Sequence, residues 1–144
     1  MSSERNVELF SGLILILSII ALVMLFIGPF AGFYLGAGNY RYSCLDCEYS
    51  TTLDYISQII IIILFIIQIV IALNELLPNK FISKDLTQIG LYLAILTFSF
   101  TIIGLISFGA TYSEYEWWPD LGFYGSVVGG LLNTILFYLK KRNK

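Results

Sequence analysis

The chain has 144 residues, of which 58% are hydrophobic and only 12% are charged, with a formal net charge of −2. In soluble domains about a quarter of the residues are charged, so this composition is typical of a membrane protein. The sequence contains no histidine and two cysteines. It therefore excludes Ser-His-Asp and Cys-His catalysis, histidine-ligated haem and a Cys/His zinc site built by this chain alone, and we expect neither catalytic residues nor a metal or cofactor.

Four long stretches of the chain carry no charged side chain. They cover residues 9–40, 55–74, 86–113 and 121–139, and a helix needs about 20 apolar residues to cross a bilayer. From their ends we predict helices at about 8–36, 55–77, 86–111 and 121–141, with outer loops at about 37–54 and 112–120. The predicted fold class is an all-α membrane protein, a four-transmembrane-helix bundle. A cleaved secretory signal is the alternative for the first stretch, but its apolar run is longer than signal sequences have.

The positive charges predict the orientation of this bundle. With the amino terminus in the cytoplasm, Arg41 is the only basic residue outside, as the positive-inside rule favours. The remaining basic residues are then cytoplasmic: Arg5, Lys80, Lys84, Lys140, Lys141, Arg142 and Lys144. We therefore expect a multi-pass protein of the cell membrane with both termini in the cytoplasm. Its outer loops are acidic, with Asp46, Glu48, Asp54, Glu114, Glu116 and Asp120. We attribute this charge to ordinary loop solubility, and a weak cation site is the alternative.

Small residues predict how the helices pack. Gly28, Gly32 and Gly36 recur every four residues in the first predicted helix, a spacing that allows a neighbouring backbone to approach closely. Gly125 and Gly129 repeat the spacing in the fourth predicted helix. We expect the first and fourth helices to touch at these glycines, and homodimerisation through the same faces is the alternative. Pro29, inside the first set, should kink that helix.

Polar side chains within the spans predict a hydrogen-bonded layer. Counting about 1.5 Å per residue from each helix end places four of them at similar depth. They are Ser18, Gln68, Thr97 and Asn133. Such bonds mostly serve as structural glue between helices, and no ionisable group lies at mid-depth to form a proton relay or a voltage sensor.

Cys44 and Cys47 form a C-x-x-C motif in the first outer loop. Outside the cytoplasm the pair is compatible with a structural disulfide, which we favour, or with a redox-active one. The redox alternative is a quinone-linked thiol oxidase, because bacterial enzymes of that kind are four-span proteins with C-x-x-C in the first outer loop. Those enzymes carry a second cysteine pair in the other outer loop, and this chain has none there.

Aromatic residues concentrate at the predicted outer boundary, where amphipathic rings prefer the headgroup level. Their excess on this side leads us to predict an outer contact surface formed by Tyr40, Tyr42, Tyr49, Tyr115, Trp117 and Trp118, together with Glu114 and Glu116. We expect no sheet in the first outer loop, because about 18 residues between Asn39 and Ser57 leave little room for several strands of about five residues.

The order of these parts resembles the claudin and peripheral-myelin-protein superfamily, although the Gly-Leu-Trp signature is absent. As in claudins, an aromatic residue, Tyr42, precedes the first loop cysteine, and Tyr49 and Leu53 follow the second. The glycine-rich opening of the fourth span, residues 121–130, is also similar. The resemblance implies four helices, cytoplasmic termini and a role in contacts between membrane proteins.

These observations favour a non-enzymatic tetraspan that acts through protein-protein contacts, as an adhesion or scaffold component or as an accessory subunit of a membrane complex. We expect it to contact the lipid bilayer and other membrane proteins or copies of itself, and no nucleic acid. The thiol-disulfide oxidoreductase that would use Cys44 and Cys47 and an oligomeric pore are the alternatives.

Overall fold

The computed structural model describes residues 2–43 and 48–143. Within them the chain forms four helices that are long and apolar enough to cross a membrane, which confirms the predicted number of helices. Their bounds are Ser2–Ile27 (α1), Thr52–Leu76 (α2), Thr87–Thr111 (α3) and Leu121–Arg142 (α4). The last two agree with the predicted bounds to within one residue. By contrast, α1 begins six residues earlier and ends nine residues earlier than predicted, and α2 begins three residues earlier.

The first helix ends at Ile27 because of the residues immediately after it. Pro29 has no backbone N–H to donate, and a residue that precedes proline is disfavoured in the helical region. The backbone groups released there pair elsewhere: the Phe30 N–H donates to the Tyr42 carbonyl at 2.8 Å, and the Pro29 carbonyl accepts from the Gly122 N–H at 2.8 Å. The kink predicted at Pro29 is therefore wrong, and the chain leaves the helix altogether.

Residues predicted as helix form a β-hairpin instead. Strands β1 (Ala31–Leu35) and β2 (Gly38–Tyr42) pair antiparallel, with Leu35 opposite Gly38. The tight turn between them needs a backbone angle that glycine adopts at little cost, and Gly36 supplies it with φ of 58°.

A third strand, β3 (Trp117–Pro119), joins from the second predicted outer loop and pairs with β1. The sheet order is β2-β1-β3, so Pro119 lies on an edge strand, where a missing donor is tolerated. The expectation of an all-α fold without a sheet is therefore wrong. The sheet takes its residues from the end of the first predicted helix and from both predicted loops, a combination that local sequence does not indicate.

Side chains cap the helices that begin beside this sheet. The Thr51 hydroxyl accepts a hydrogen bond from the Asp54 N–H at 3.3 Å, and the Asp120 carboxylate accepts one from the Leu121 N–H at 2.7 Å. Both residues satisfy donors that the first turn of a helix leaves unpaired. We call this end of the bundle, which carries the sheet, the sheet end, and the opposite end the terminal end.

The interior divides into two apolar clusters. The larger one lies at the sheet end around Phe30, Phe33, Phe65 and Phe108. The smaller one lies toward the terminal end around Ile14, Ile71, Ala94 and Phe137. Large apolar side chains also remain exposed along all four helices, as expected of helices whose outer faces contact lipid.

Candidate functional site

A hydrogen-bonded chain of polar side chains joins all four helices. The Asn133 side-chain amide donates to Ser18 Oγ at 2.8 Å and to Gln68 Oε1 at 2.9 Å, and Gln68 Nε2 donates to Thr97 Oγ1 at 2.9 Å. All four side chains are fully buried. The structure thus brings together the four residues of the predicted polar layer, and Asn133 and Gln68 are its two inner members. Such a set of hydrogen bonds fixes the register of the helices relative to one another. None of its side chains is ionisable, so it offers no charge for a transport mechanism.

Glycines of α4 face α1 at close range. An added Cβ at Gly125 would lie 2.8 Å from Met24 Cβ, and one at Gly129 would lie 2.8 Å from Ala21 Cβ. Gly28 lies just beyond the end of α1, against Leu121. The two helices therefore touch through glycines, but the small residues on the α1 side differ from those predicted.

The prediction that Gly28, Gly32 and Gly36 share one helix face is wrong, because all three lie beyond Ile27. Gly32 lies in β1 and Gly36 in the hairpin turn. A spacing of four residues marks one face only where the chain is helical, and Pro29 ends the helix first.

Aromatic rings fill the sheet end around Phe33. Its ring stacks on Tyr112 at a centroid distance of 4.0 Å and on Tyr40 at 5.5 Å, and it meets Tyr49 edge-on at 5.9 Å. The Tyr112 hydroxyl donates to the Tyr49 carbonyl at 2.6 Å, and burial raises the pKa of that hydroxyl. Tyr40 and Tyr49, predicted as contact residues, are thus partly buried components of this cluster.

Each tryptophan lies over a glycine. An added Cβ would approach Trp118 to 2.6 Å at Gly32 and Trp117 to 2.5 Å at Gly109. The Trp118 indole N–H also donates to the Asp120 carboxylate at 3.4 Å, and Arg41 pairs with the same carboxylate at 3.8 Å. The indole rings therefore fasten β3 to β1 and α3.

Several side chains around these rings remain exposed. We call them the aromatic rim: Tyr34 (47% exposed), Tyr115 (39%) and Trp117 (37%), with the exposed carboxylates of Glu114 and Glu116 beside them. Tyr34 contacts the Trp118 ring at a centroid distance of 4.6 Å. The rim retains only part of the predicted contact surface, and it gains Tyr34, which was predicted as part of a helix.

Tyr42 does not belong to an exposed contact surface, since it is 1% exposed. Its ring stacks on Phe108 at 4.9 Å, and its hydroxyl lies beside Asp54 and Gln58. Burial raises the pKa of this hydroxyl, the negative charge of Asp54 raises it further, and the side chain of Gln58 partly offsets both effects.

Asp54 and Gln58 are fully buried as well, although Asp54 was assigned to a soluble loop. The sequence did not predict that Tyr42, Asp54 and Gln58 lie together, because the predicted outer loop included Asp54 and the predicted second helix began only after it. The available signal was Thr51 three residues before Asp54, a pattern that marks a helix start.

A second buried charge lies at the terminal end. Glu75, near the end of α2, pairs with Lys80 at 3.3 Å and with Lys140 of α4 at 3.8 Å. The Lys140 side chain is fully buried, whereas that of Lys80 is 47% exposed. Beside them the Asn74 amide binds both backbone groups of Ile82 and holds the connection between α2 and α3. The sequence predicted Lys140 as a cytoplasmic residue near the end of the fourth helix and gave no sign of this contact.

Cys44 and Cys47 lie outside the described residues, so the disulfide and redox hypotheses stay predictions. Within the described ranges no group of three or more His, Cys, Asp or Glu side chains is placed to hold a metal ion. The chemically distinctive features are therefore the aromatic rim, the uncharged polar chain and the two buried charged groups at opposite ends.

The class that this geometry defines is a four-helix bundle with a three-stranded sheet at one end. Comparisons with family models, curated proteins and solved structures gave no match for this chain.

Proposed function

We propose that the chain is a tetraspan of the cell membrane with both termini in the cytoplasm. The distribution of basic residues over the two ends supports this orientation, because positively charged loops and tails stay on the cytoplasmic side. Among the described residues outside the helices, the terminal end carries Lys80 and Lys84 and the sheet end carries Arg41. The last turn of α4 adds Lys140, Lys141 and Arg142 at the terminal end.

The protein acts, in this proposal, without enzymatic chemistry, through contacts of the aromatic rim with another membrane protein or a second copy. The supporting observation is that three large aromatic side chains stay exposed on the sheet and on the turn that leads into β3. Aromatic side chains that are exposed and already held in place bind partners at a low cost in conformational entropy. The acidic neighbours Glu114 and Glu116 favour a partner surface with basic residues.

The architectural resemblance to the claudin superfamily stays a prediction from the sequence. Fold analogy by itself does not transfer function. The contact hypothesis therefore depends on the rim and not on the resemblance.

The test is cross-linking of the full-length chain in its native membranes, followed by mass spectrometry, for the double variant Tyr34→Ala and Tyr115→Ala. We expect the set of cross-linked partners to shrink or disappear, because both rings lie on the rim. The matched control is Tyr92→Ala with Tyr138→Ala, which removes two tyrosines that are 57% and 56% exposed on the helices. An unchanged set of partners in the rim variant, with normal amounts of protein, would contradict the proposal.

A further inference from the structure

Three buried polar side chains at the sheet end have polar atoms that the rest of the described chain does not satisfy. They are the Tyr42 hydroxyl, both carboxylate oxygens of Asp54, and the oxygen and nitrogen of the Gln58 amide, none of which has a hydrogen-bond partner of ordinary geometry among the described residues. Weaker contacts do reach two of them: the Gln58 side chain approaches the Tyr42 hydroxyl, and Thr51 and Tyr55 approach the Asp54 carboxylate. Their side chains are 1%, 0% and 0% exposed. Buried polar groups are satisfied in the great majority of cases, so an unsatisfied cluster indicates a further partner such as an ordered water or an ion.

The backbone brings these groups together from two elements. Asp54 and Gln58 lie four residues apart in α2 and therefore share one helix face. Tyr42 approaches that face from the end of β2, and its ring is held between Phe108 at 4.9 Å and Phe30 at 5.9 Å. The Thr51 and Ser107 hydroxyls, 3.1 Å apart, join the start of α2 to α3 beside this group. The polar atoms of the three side chains thus come together beside the aromatic rings of Phe30 and Phe108.

No basic side chain of the described residues forms an ion pair with Asp54. An ionised carboxylate that is fully buried must be paired, coordinated to a cation, or neutralised by a proton. Arg41 is the neighbour of Tyr42 in sequence, but successive strand residues point to opposite faces, and Arg41 pairs with Asp120 at 3.8 Å. The described ion pairs of the other basic side chains involve Glu75 at the terminal end.

We propose that Tyr42, Asp54 and Gln58 form a binding site for a monovalent hard cation of the Na⁺ class. The ligands are the two carboxylate oxygens of Asp54, the amide oxygen of Gln58 and the hydroxyl oxygen of Tyr42. Hard cations prefer oxygen ligands. The single carboxylate balances one positive charge, and the described residues lack the several carboxylates of a typical calcium site.

This site is independent of the proposed contact function, since none of its side chains belongs to the aromatic rim. Its role is to complete the sheet end: the cation links β2 to α2, and the folded protein is then more stable when the ion is present. The site is thus a sodium-dependent structural element beneath the surface that we propose to bind partners.

The test measures the thermal stability of the purified full-length protein in detergent, in sodium chloride and in choline chloride at equal ionic strength. We expect the Tm in sodium to be higher by about 3–6 °C when Na⁺ is at roughly ten times its dissociation constant. Lithium and potassium series then define the preferred ionic size. Equal Tm values in all four salts would overturn the proposal and indicate that a proton neutralises Asp54.

Two variants make the result specific. Asp54→Asn should abolish the sodium shift, and in choline it should be at least as stable as the wild type, because it removes a buried charge without a partner. Tyr42→Phe keeps the aromatic stacking and should weaken the apparent affinity for Na⁺ several-fold. Asp120→Asn is the matched control: it changes a carboxylate at the same end, retains a good helix N-cap and should keep the full shift. A sodium shift that persists in Asp54→Asn would contradict the assignment.

Discussion

At the scale of single residues, buried polar side chains distinguish the interior of this protein from a purely apolar bundle. Asn133 donates to Ser18 and Gln68 at once, so one amide group connects α4 to two other helices. Gln68 extends the connection to Thr97 on α3. In a bilayer a polar group that loses its partner cannot replace it with water, so substitution of either inner residue, Asn133 or Gln68, should have the largest effect.

We predict that Asn133→Leu lowers the free energy of unfolding by about 1–3 kcal/mol, because it leaves buried groups of Ser18 and Gln68 without a donor. The measurement is denaturant-induced unfolding in mixed micelles. Thr134→Val is the matched control, since the Thr134 hydroxyl binds only the Gly130 carbonyl of its own helix, at 2.8 Å. An equal decrease in the free energy of unfolding in both variants would indicate that the hydrogen bonds between the helices contribute nothing beyond ordinary packing.

At the scale of elements, the contact between α1 and α4 depends on small residues that allow the two backbones to approach. Gly129 faces Ala21, and Gly125 faces Met24, so neither position has space for a side chain. Gly12 of α1 differs, because an added Cβ there has no neighbouring atom within 4 Å. Glycine in a helix costs about 1 kcal/mol relative to alanine, so it is favoured only where a close approach requires it.

The same substitution should therefore have opposite effects at two helical glycines. Gly12→Ala should stabilise the protein by up to about 1 kcal/mol through helix propensity. Gly129→Ala should destabilise it by about 1–3 kcal/mol, since the new methyl group overpacks the helix contact. Thermal unfolding of both variants in the same detergent measures the difference. Destabilisation by Gly12→Ala, or stabilisation by Gly129→Ala, would contradict the described packing.

At the scale of the whole molecule, the two ends differ in structure and charge. The sheet end carries three strands and the exposed carboxylates of Glu114 and Glu116, whereas the terminal end carries most of the basic side chains. The buried Glu75 contributes an ion pair between α2 and α4 at the terminal end. This polarity leads to a test of orientation that does not depend on function.

We predict that a cysteine introduced by Glu116→Cys reacts with a membrane-impermeant maleimide in intact cells, because the proposed orientation places the sheet end outside the cell. A cysteine introduced by Lys84→Cys should react only after the cells are permeabilised. Both variants are made with Cys44→Ser and Cys47→Ser, so that the native thiols do not react. The reverse labelling pattern would show that the bundle has the opposite orientation.

The four helices follow from the sequence alone, because the length and hydropathy of each span are local properties. The sequence also predicts that four polar side chains lie at a similar depth, because the fixed rise per residue of a helix converts sequence position into depth. They are Ser18, Gln68, Thr97 and Asn133. Only the tertiary structure shows where α1 ends and that the strand β1 follows it. The sheet needs β1 to pair with Trp117–Pro119, far along the chain, and no local pattern encodes such a partner.

The same reason explains the burial of Tyr42, Asp54 and Lys140. Each lies at the end of an element, where charge or polarity in the sequence suggests solvent, and each is covered by elements distant in sequence. Local composition thus determined how many helices this protein has. Long-range packing determined which of its polar side chains are enclosed between them.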